Sequence, residues 1–395
     1  MSDQPPIKDA EFGDRFKPCE KHQEDGNANA ILSVVDSLEK DFELTEIQKA
    51  TCHDWRGCAV LIEEQFEEAQ QHVETAIGIA SKLESIEHLA KFTLHLALIH
   101  EESGDDQNAI IQFEKAAETH EKVKDPEGQR ECLKYMGDIH RRTGEHIKSL
   151  SAYERILEID RKSGHQKNES ESLSRIGGSY WYMKDFDKAM EIYNEALAIS
   201  RSIGNKRGEF REFHNIGLIH QSREMWQEAQ EAMEKGLAIV EELNDEHGIS
   251  ACSMSLGIIL DKQDKYEEGK PYLIRGLELS QKIGHWLRES LSYLNLGISD
   301  VNLGDLQEGE KHIDLSIAGM EELAMDGSYE YGIALATKSR LEGKKGNTEL
   351  ETDYANDAMA CAKAYAEKIG DTEGECEKEM VEWLEKVKGL VERAK

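Results

Sequence analysis

Three kinds of residue in this chain could do chemistry, and each was weighed against the packing that would place it. Adjacent carboxylates recur at Glu63-Glu64, Glu101-Glu102 and Glu241-Glu242. Paired acids can run acid/base catalysis only when a pocket separates their pKa values, and pairs spread along the chain in this way fit solvated helix faces. Histidines stand at His100, His140 and His220, on one register position in three successive or near-successive segments. Stacking could bring His100 and His140 to roughly ~10 Å, giving a pH-sensitive seam or, more simply, amphipathic core residues in place of a tyrosine. The seven cysteines (Cys19, Cys52, Cys58, Cys132, Cys252, Cys361, Cys376) form no CxxC pair. Scattered single thiols suit a reducing compartment and small buried hydrophobes, so no metal site and no disulfide framework is expected.

Phosphate and cofactor motifs are missing. There is no P-loop, Rossmann fingerprint, HExxH, GxSxG or EF-hand loop, and the glycine-rich RIGGSY (175–180) falls on a helical register position where packing explains it. Neither a catalytic residue nor a cofactor is expected. The balance of 80 Asp+Glu against 48 Lys+Arg, net −32, argues against nucleic acid or an anionic membrane as partner. No run approaches the ~20 apolar residues of a membrane span, and residues 1–26 lack a secretory pattern, so a cytoplasmic location is expected.

What positions these residues is a repeat. Small residues return every 40 positions at Gly57, Ala97, Gly137, Gly177, Gly217, Gly257 and Gly297, with a second small ladder twelve positions on from Ala69 to Gly309. A small residue in mid-helix lets another helix axis approach closely, so each repeat reads as two antiparallel helices. Polar turns such as SGDD (103–106), TGEH (143–146), MKDF (183–186) and LGDL (303–306) supply a C-cap and an Asp N-cap between them. Only Pro126 and Pro271 occur beyond residue 18, consistent with an all-α chain; Pro271 is expected to kink its helix or shorten the first turn.

The ladder resembles the tetratricopeptide repeat. Leu173, Ile176, Gly177, Tyr180, Ala189, Tyr193 and Ala196 fit that family's pattern, and Asn215-Ile216-Gly217 and Asn295-Leu296-Gly297 fit its Asn-Leu-Gly variant. The usual proline is absent and the repeat is 40 rather than 34 residues long, a form similar to Pins-type adaptors and bacterial peptide-sensing regulators. The resemblance implies a right-handed superhelical solenoid of helix pairs with about seven to eight repeats. Residues 1–26 are read as a disordered tail, 27–49 as an N-terminal capping helix, 50–329 as seven repeats, 330–373 as a degenerate eighth and 374–395 as a C-terminal capping helix.

In this family the first helices line a concave groove. Carrying the register over, the lining comprises Lys134, Asp138, Arg141 and Arg142 from repeat three, Trp181 and Tyr182 from repeat four, and Arg211, His214 and Gln221 from repeat five. It then turns apolar with Met254, Ile258, Leu294 and Ile298. The clamp that reads chaperone tails is not expected, since its positions hold Asp54 and Cys58, then Leu94 and Leu98, then Lys134 and Asp138. Residues 131–208 hold 12 acids and 14 bases, a net +2 inside an acidic chain. The resulting expectation is a non-enzymatic adaptor that captures a protein or peptide segment with acidic and apolar parts. Alternatives are an acidic scaffold for a basic histone-like or cytoskeletal partner, and a peptide-responsive regulator.

Overall fold

The structure, a computed structural model, describes residues 4–369 together with 378, 380 and 381. It falls into two compact units, Met1–Lys184 and Asp185–Lys395. The N-terminal unit contains α1 (Asp9–Glu24), α2 (Ala28–Asp41), α3 (Glu46–Ile62), α4 (Phe66–Lys82), α5 (Ile86–Glu102), α6 (Asp106–Lys122), α7 (Pro126–Arg142), α8 (His146–Ser163) and α9 (Gln166–Tyr182). The C-terminal unit contains α10 (Phe186–Ser202), α11 (Lys206–Ser222), α12 (Trp226–Glu242), α13 (Glu246–Lys262), α14 (Tyr266–Lys282), α15 (Trp286–Leu303), α16 (Leu306–Glu322), α17 (Tyr329–Lys345) and α18 (Thr348–Ile369). Within each unit, consecutive helices pack side by side as antiparallel pairs.

The small-residue ladder is the contact that sets the pair spacing. A Cβ added at Gly257 would lie 2.4 Å from Leu273 Cδ2 and 3.2 Å from the Gly269 carbonyl, and one at Gly137 would lie 2.5 Å from the Tyr153 ring. The same relation joins Gly57 to Val73, Gly217 to Met233 and Gly297 to Ile313. In every case the partner is sixteen residues on, fully or nearly fully buried, and on the second helix of the pair. The helices meet there at backbone distance because one side offers no side chain.

The turns keep the same period. Glu64, Gly104, Gly144, Glu224, Asp264 and Gly304 all take a positive φ between the helices of a pair, Lys184 takes one after α9, and Glu84, Lys124, Gly164, Gly204, Asn244, Gly284 and Ala324 do so between pairs. N-caps follow the expected chemistry where the side chain is short enough: Asp105, Asp125, Asp185, Asp245 and Asp305 each accept from the backbone N–H three residues on. Glu145 in TGEH does not cap; its carboxylate accepts from His140 Nδ1 at 2.7 Å instead.

Two expectations are corrected. The tail expected to be disordered contains α1, whose Phe12, Phe16 and Cys19 are buried and whose Phe16 ring stacks on Trp55 at 5.6 Å. Gln48 ties it down further, donating to Asp9 at 2.8 Å and to the Ile7 carbonyl. Spacings of four and three residues put those three apolar side chains on one face, which is enough to dock an otherwise polar helix. Pro271 neither shortens nor interrupts α14, which starts in the same register as α10, α12 and α16. Thr337, at the small-residue position of the degenerate repeat, is buried, with its hydroxyl returned to the Ile333 carbonyl at 2.8 Å. The capping helix expected over 374–395 lies outside the described residues, except that Met380 is buried among Leu335, Ala336, Ala358 and Ala362.

If the ladder glycines are there for close approach, adding one methyl should separate them from glycines that face solvent. Gly257→Ala should destabilise the chain by about 1–2 kcal/mol, overpacking outweighing the helix propensity gained. Gly78→Ala, where a Cβ meets nothing within 4 Å, should stabilise it by about 0.5–1 kcal/mol. Urea denaturation of the two variants checks the contrast in sign.

Candidate protein-interaction surface

In the N-terminal unit the structure gathers three of the expected groove residues, Asp138, Trp181 and Tyr182, around a fourth, Arg141. Arg141, in the last turn of α7, places its guanidinium 5.9 Å from the Tyr182 ring centre, and Trp181 meets Tyr182 edge-on at 5.0 Å. Asp138, one turn earlier, lies 3.8 Å from Arg141, accepts from Tyr153 Oη at 2.6 Å and from Arg175 at 3.0 Å. His146, at the start of α8, stacks on the other ring of this group, Tyr182, at 5.1 Å. Tyr182 remains 43% exposed, so the cluster presents an aromatic face to solvent.

The charge state of this cluster follows from its neighbours. Burial works against the Arg141 charge, but the Tyr153 and Tyr182 hydroxyls outweigh it and raise the guanidinium pKa. Burial and the adjacent Arg141 both lower His146, so its ring is neutral at pH 7 and stacks without repulsion. The sequence reading missed His146, Tyr153 and Arg175; Tyr153 was concealed because its position is also the bulky partner of Gly137.

The remaining basic residues of the window are held elsewhere. Arg142 turns toward the preceding repeat, 2.8 Å from Asp106 and 3.9 Å from Glu101. Lys134 lies over its neighbour Tyr135 at 5.0 Å, and Arg155 is 3.0 Å from Glu114. Thus part of the window's positive charge is committed to ion pairs between helices, each exposed one contributing about 0–1 kcal/mol.

In the C-terminal unit Arg211 contacts Glu212 at 3.0 Å, and His214 lies 6.0 Å from the Phe210 ring. Gln221, Met254, Ile258 and Ile298 are partly buried. Leu294 is a correction: it is 4% exposed and packs with Met320 and Ala334, a cluster that Leu291 and Ile298 also join. Much of the expected apolar lining is therefore contact between repeats. Sequence reasoning passed over Trp286, which is 60% exposed at the start of α15, because KIGHWLR reads as a closing turn.

His100 and His140 are buried, as core residues in place of a tyrosine would be. His140 and His100 each face an acid five residues on, Glu145 at 2.7 Å and Asp105 at 3.6 Å. Burial lowers His220. Among the described residues no helix is long and apolar enough to cross a membrane, and the cysteines Cys19, Cys52, Cys58, Cys132, Cys252 and Cys361 are free thiols.

Comparison with known proteins agrees with this geometry. The tetratricopeptide repeat family matches residues 129–202. No curated protein matches the sequence. Among solved structures, aspartyl phosphate phosphatase F from Bacillus subtilis is similar at 15% identity, covering 91% of this chain and 96% of that one with a TM-score of 0.61. The apo form of the quorum sensor NprR from B. thuringiensis is similar at 16% identity, 78% and 86% coverage and a TM-score of 0.57. A Rap protein complexed with competence and sporulation factor aligns at 16% identity, 90% and 99% coverage and a TM-score of 0.54. Identities this low carry the fold alone. Repeat register, helix pairing and these likenesses together define an all-α fold of the tetratricopeptide-repeat type.

Among the histidines, His214 offers a clean pH test. Burial first, and then the charge of Arg288, push its pKa down to about 4 from the ordinary 6.5. Between those values the unfolded chain takes up a proton that the folded one refuses, so this contribution to stability is complete above pH 6.5 and lost as pH falls toward 4. On going from pH 7.5 to 4.5 the native chain should lose about 2 kcal/mol more stability than His214→Asn. Parallel denaturation curves for the two proteins at both pH values would contradict this.

Proposed function

We propose that this protein is a non-enzymatic adaptor that captures a segment of another protein on the first-helix faces of its repeats. The observation that carries the reading is the Arg141, His146, Trp181 and Tyr182 cluster. It joins a fixed cation to an aromatic surface that is open to solvent. A carboxylate on the partner would meet Arg141, and an adjacent apolar or aromatic side chain would cover Tyr182. In the C-terminal unit Met254, Ile258 and Ile298, partly buried, would offer a shallower apolar contact, and Arg211, His214 and Gln221 a polar one.

Repeat packing supports this reading physically, because stacked helix pairs hold side chains from successive helices at fixed spacing, which suits an extended or helical segment. Structural likeness to a quorum sensor and to a Rap protein complexed with a factor supports segment capture as well. The phosphatase name of one similar structure does not transfer to this chain, whose own site residues supply an anchoring surface rather than a nucleophile and base.

Panning a random peptide library on the full chain provides the test. Enriched peptides should pair an acidic residue with an aromatic or large aliphatic one, and Arg141→Glu or Tyr182→Ala should weaken the best of them by about tenfold or more. Arg142→Glu, whose parent residue is already paired with Asp106, should change affinity much less. Equal binding of the enriched peptides to the native, Arg141→Glu and Tyr182→Ala chains would rule the surface out.

A further inference from the structure

The N-terminal unit contains a second constellation that the interaction surface does not use. Asp54 and Cys58 lie one helical turn apart on α3, and therefore on the same face. His95, on α5 in the next repeat, points its Nδ1 between them, 2.7 Å from Asp54 Oδ1 and 3.5 Å from Cys58 Sγ. One ligand atom from each residue lies within 4.8 Å of the others. We propose that Asp54, Cys58 and His95 form a binding site for a zinc-type divalent transition-metal ion that ties repeat one to repeat two.

Three observations point to a metal. The ligand set mixes imidazole, thiolate and carboxylate, which suits a borderline-soft cation and disfavours the hard ions calcium and magnesium. The nitrogen–sulfur spacing fits: zinc bonds of ~2.0–2.1 Å to nitrogen and ~2.3 Å to sulfur at a tetrahedral angle put those atoms about 3.5 Å apart, the separation between His95 and Cys58, while the 2.7 Å hydrogen bond from His95 to Asp54 would open to about 3.3 Å as the ion replaces the proton. Lastly, Asp54 is 0% exposed and its Oδ2 is buried with no hydrogen-bond partner. A buried carboxylate oxygen left without a donor is a place for a cation.

A Cys-His-Asp nucleophilic triad fits the geometry less well. In such a triad the imidazole bridges its partners through opposite ring nitrogens, so that one accepts the thiol proton while the other is held by the acid. Here the same Nδ1 faces both partners. Three groups converging on one point describe coordination rather than a relay.

The residues also look built for the task. Asp54 and Cys58 are buried, while the His95 side chain keeps 14% exposure and gives the ion a way in. Without a metal, the acid and the imidazole pair with each other, and burial opposes the His95 charge but loses to Asp54 and Cys58, raising its pKa to about 10. On binding, Cys58 would coordinate as thiolate and His95 through an unprotonated Nδ1, with both protons released to the buffer. The fourth position would be filled by water or by a group of the captured segment.

Cobalt(II) is the probe. Added to the reduced, chelator-treated full chain, it should bind at one equivalent and produce a thiolate-to-cobalt charge-transfer absorption. Cys58→Ser should abolish that absorption, Cys132→Ser should retain it, and His95→Ala should weaken cobalt binding by about tenfold or more. Zinc should raise the melting temperature of the native chain and not that of His95→Ala. The proposal is overturned if no charge-transfer band appears, if the band survives Cys58→Ser, or if His95→Ala binds cobalt as tightly as the native chain. Should Cys58→Ser fail to fold, as read by circular dichroism, the His95→Ala affinity and the zinc-dependent melting shift decide, and absence of either effect overturns it. Because none of these readouts involves Arg141 or Tyr182, failure here leaves the interaction reading standing, and the reverse also holds.

Discussion

The packing of most repeats depends on a single type of contact, a glycine on the first helix against a bulky residue sixteen positions later on the second. At Gly257 and Leu273, or Gly137 and Tyr153, the side chain of the second helix occupies the space that a Cβ on the first would take. That fixes the distance between the two helices and, with the 40-residue period, the register of everything attached to them. The turns are subordinate to it. Eight of the positive-φ positions are not glycine, among them Glu64, Lys184 and Ala324. A left-handed conformation costs an ordinary residue about 1–2 kcal/mol. Packing of the helix pairs evidently imposes that conformation whether or not the residue favours it.

A fixed register also decides what the surface charges can do. Arg142 reaches Asp106, 36 positions earlier, and in the C-terminal unit Arg223 reaches Asp187, again 36 positions earlier. Such pairs recur because near-equivalent positions of neighbouring repeats come side by side. They reduce the field that a net +2 window would otherwise present, and in the function we propose they leave recognition to groups that the helices do not consume, chiefly Tyr182 with its flanking Arg141, His146 and Trp181. The same juxtaposition of neighbouring repeats brings His95 to Asp54, 41 positions apart, and turns two isolated polar residues into a convergent group.

The sequence made the repeat legible because small residues at a constant interval have few causes other than close packing. Helix starts at 46, 86, 126 and so on, and the Asp N-caps, followed from the turn chemistry. Other features were hidden for identifiable reasons. The three apolar residues of α1 are diluted by thirteen others that are mostly polar, so composition masked a helix that docks through Phe16 and Trp55. Leu294 was assigned to an open surface because register alone does not show how far the next repeat covers a first helix, and Met320 and Ala334 cover this one. Arg141 and Tyr182 were found by register, whereas His146 and Tyr153 were not, since both belong to second helices. The Asp54, Cys58 and His95 group was invisible for a related reason: its members fall in different repeats and match no local motif.

The most direct test of the account is a double-mutant cycle between Gly257 and Leu273. Leu273→Ala alone should cost about 2–5 kcal/mol by opening a cavity at a fully buried position. If the glycine exists to admit that leucine, the methyl of Gly257→Ala should be accommodated once the leucine is gone. The double variant should then be more stable than the sum of the single effects by about 1 kcal/mol or more. Effects that add to within about 0.3–0.5 kcal/mol would show that the two positions do not share a contact, and would contradict the account.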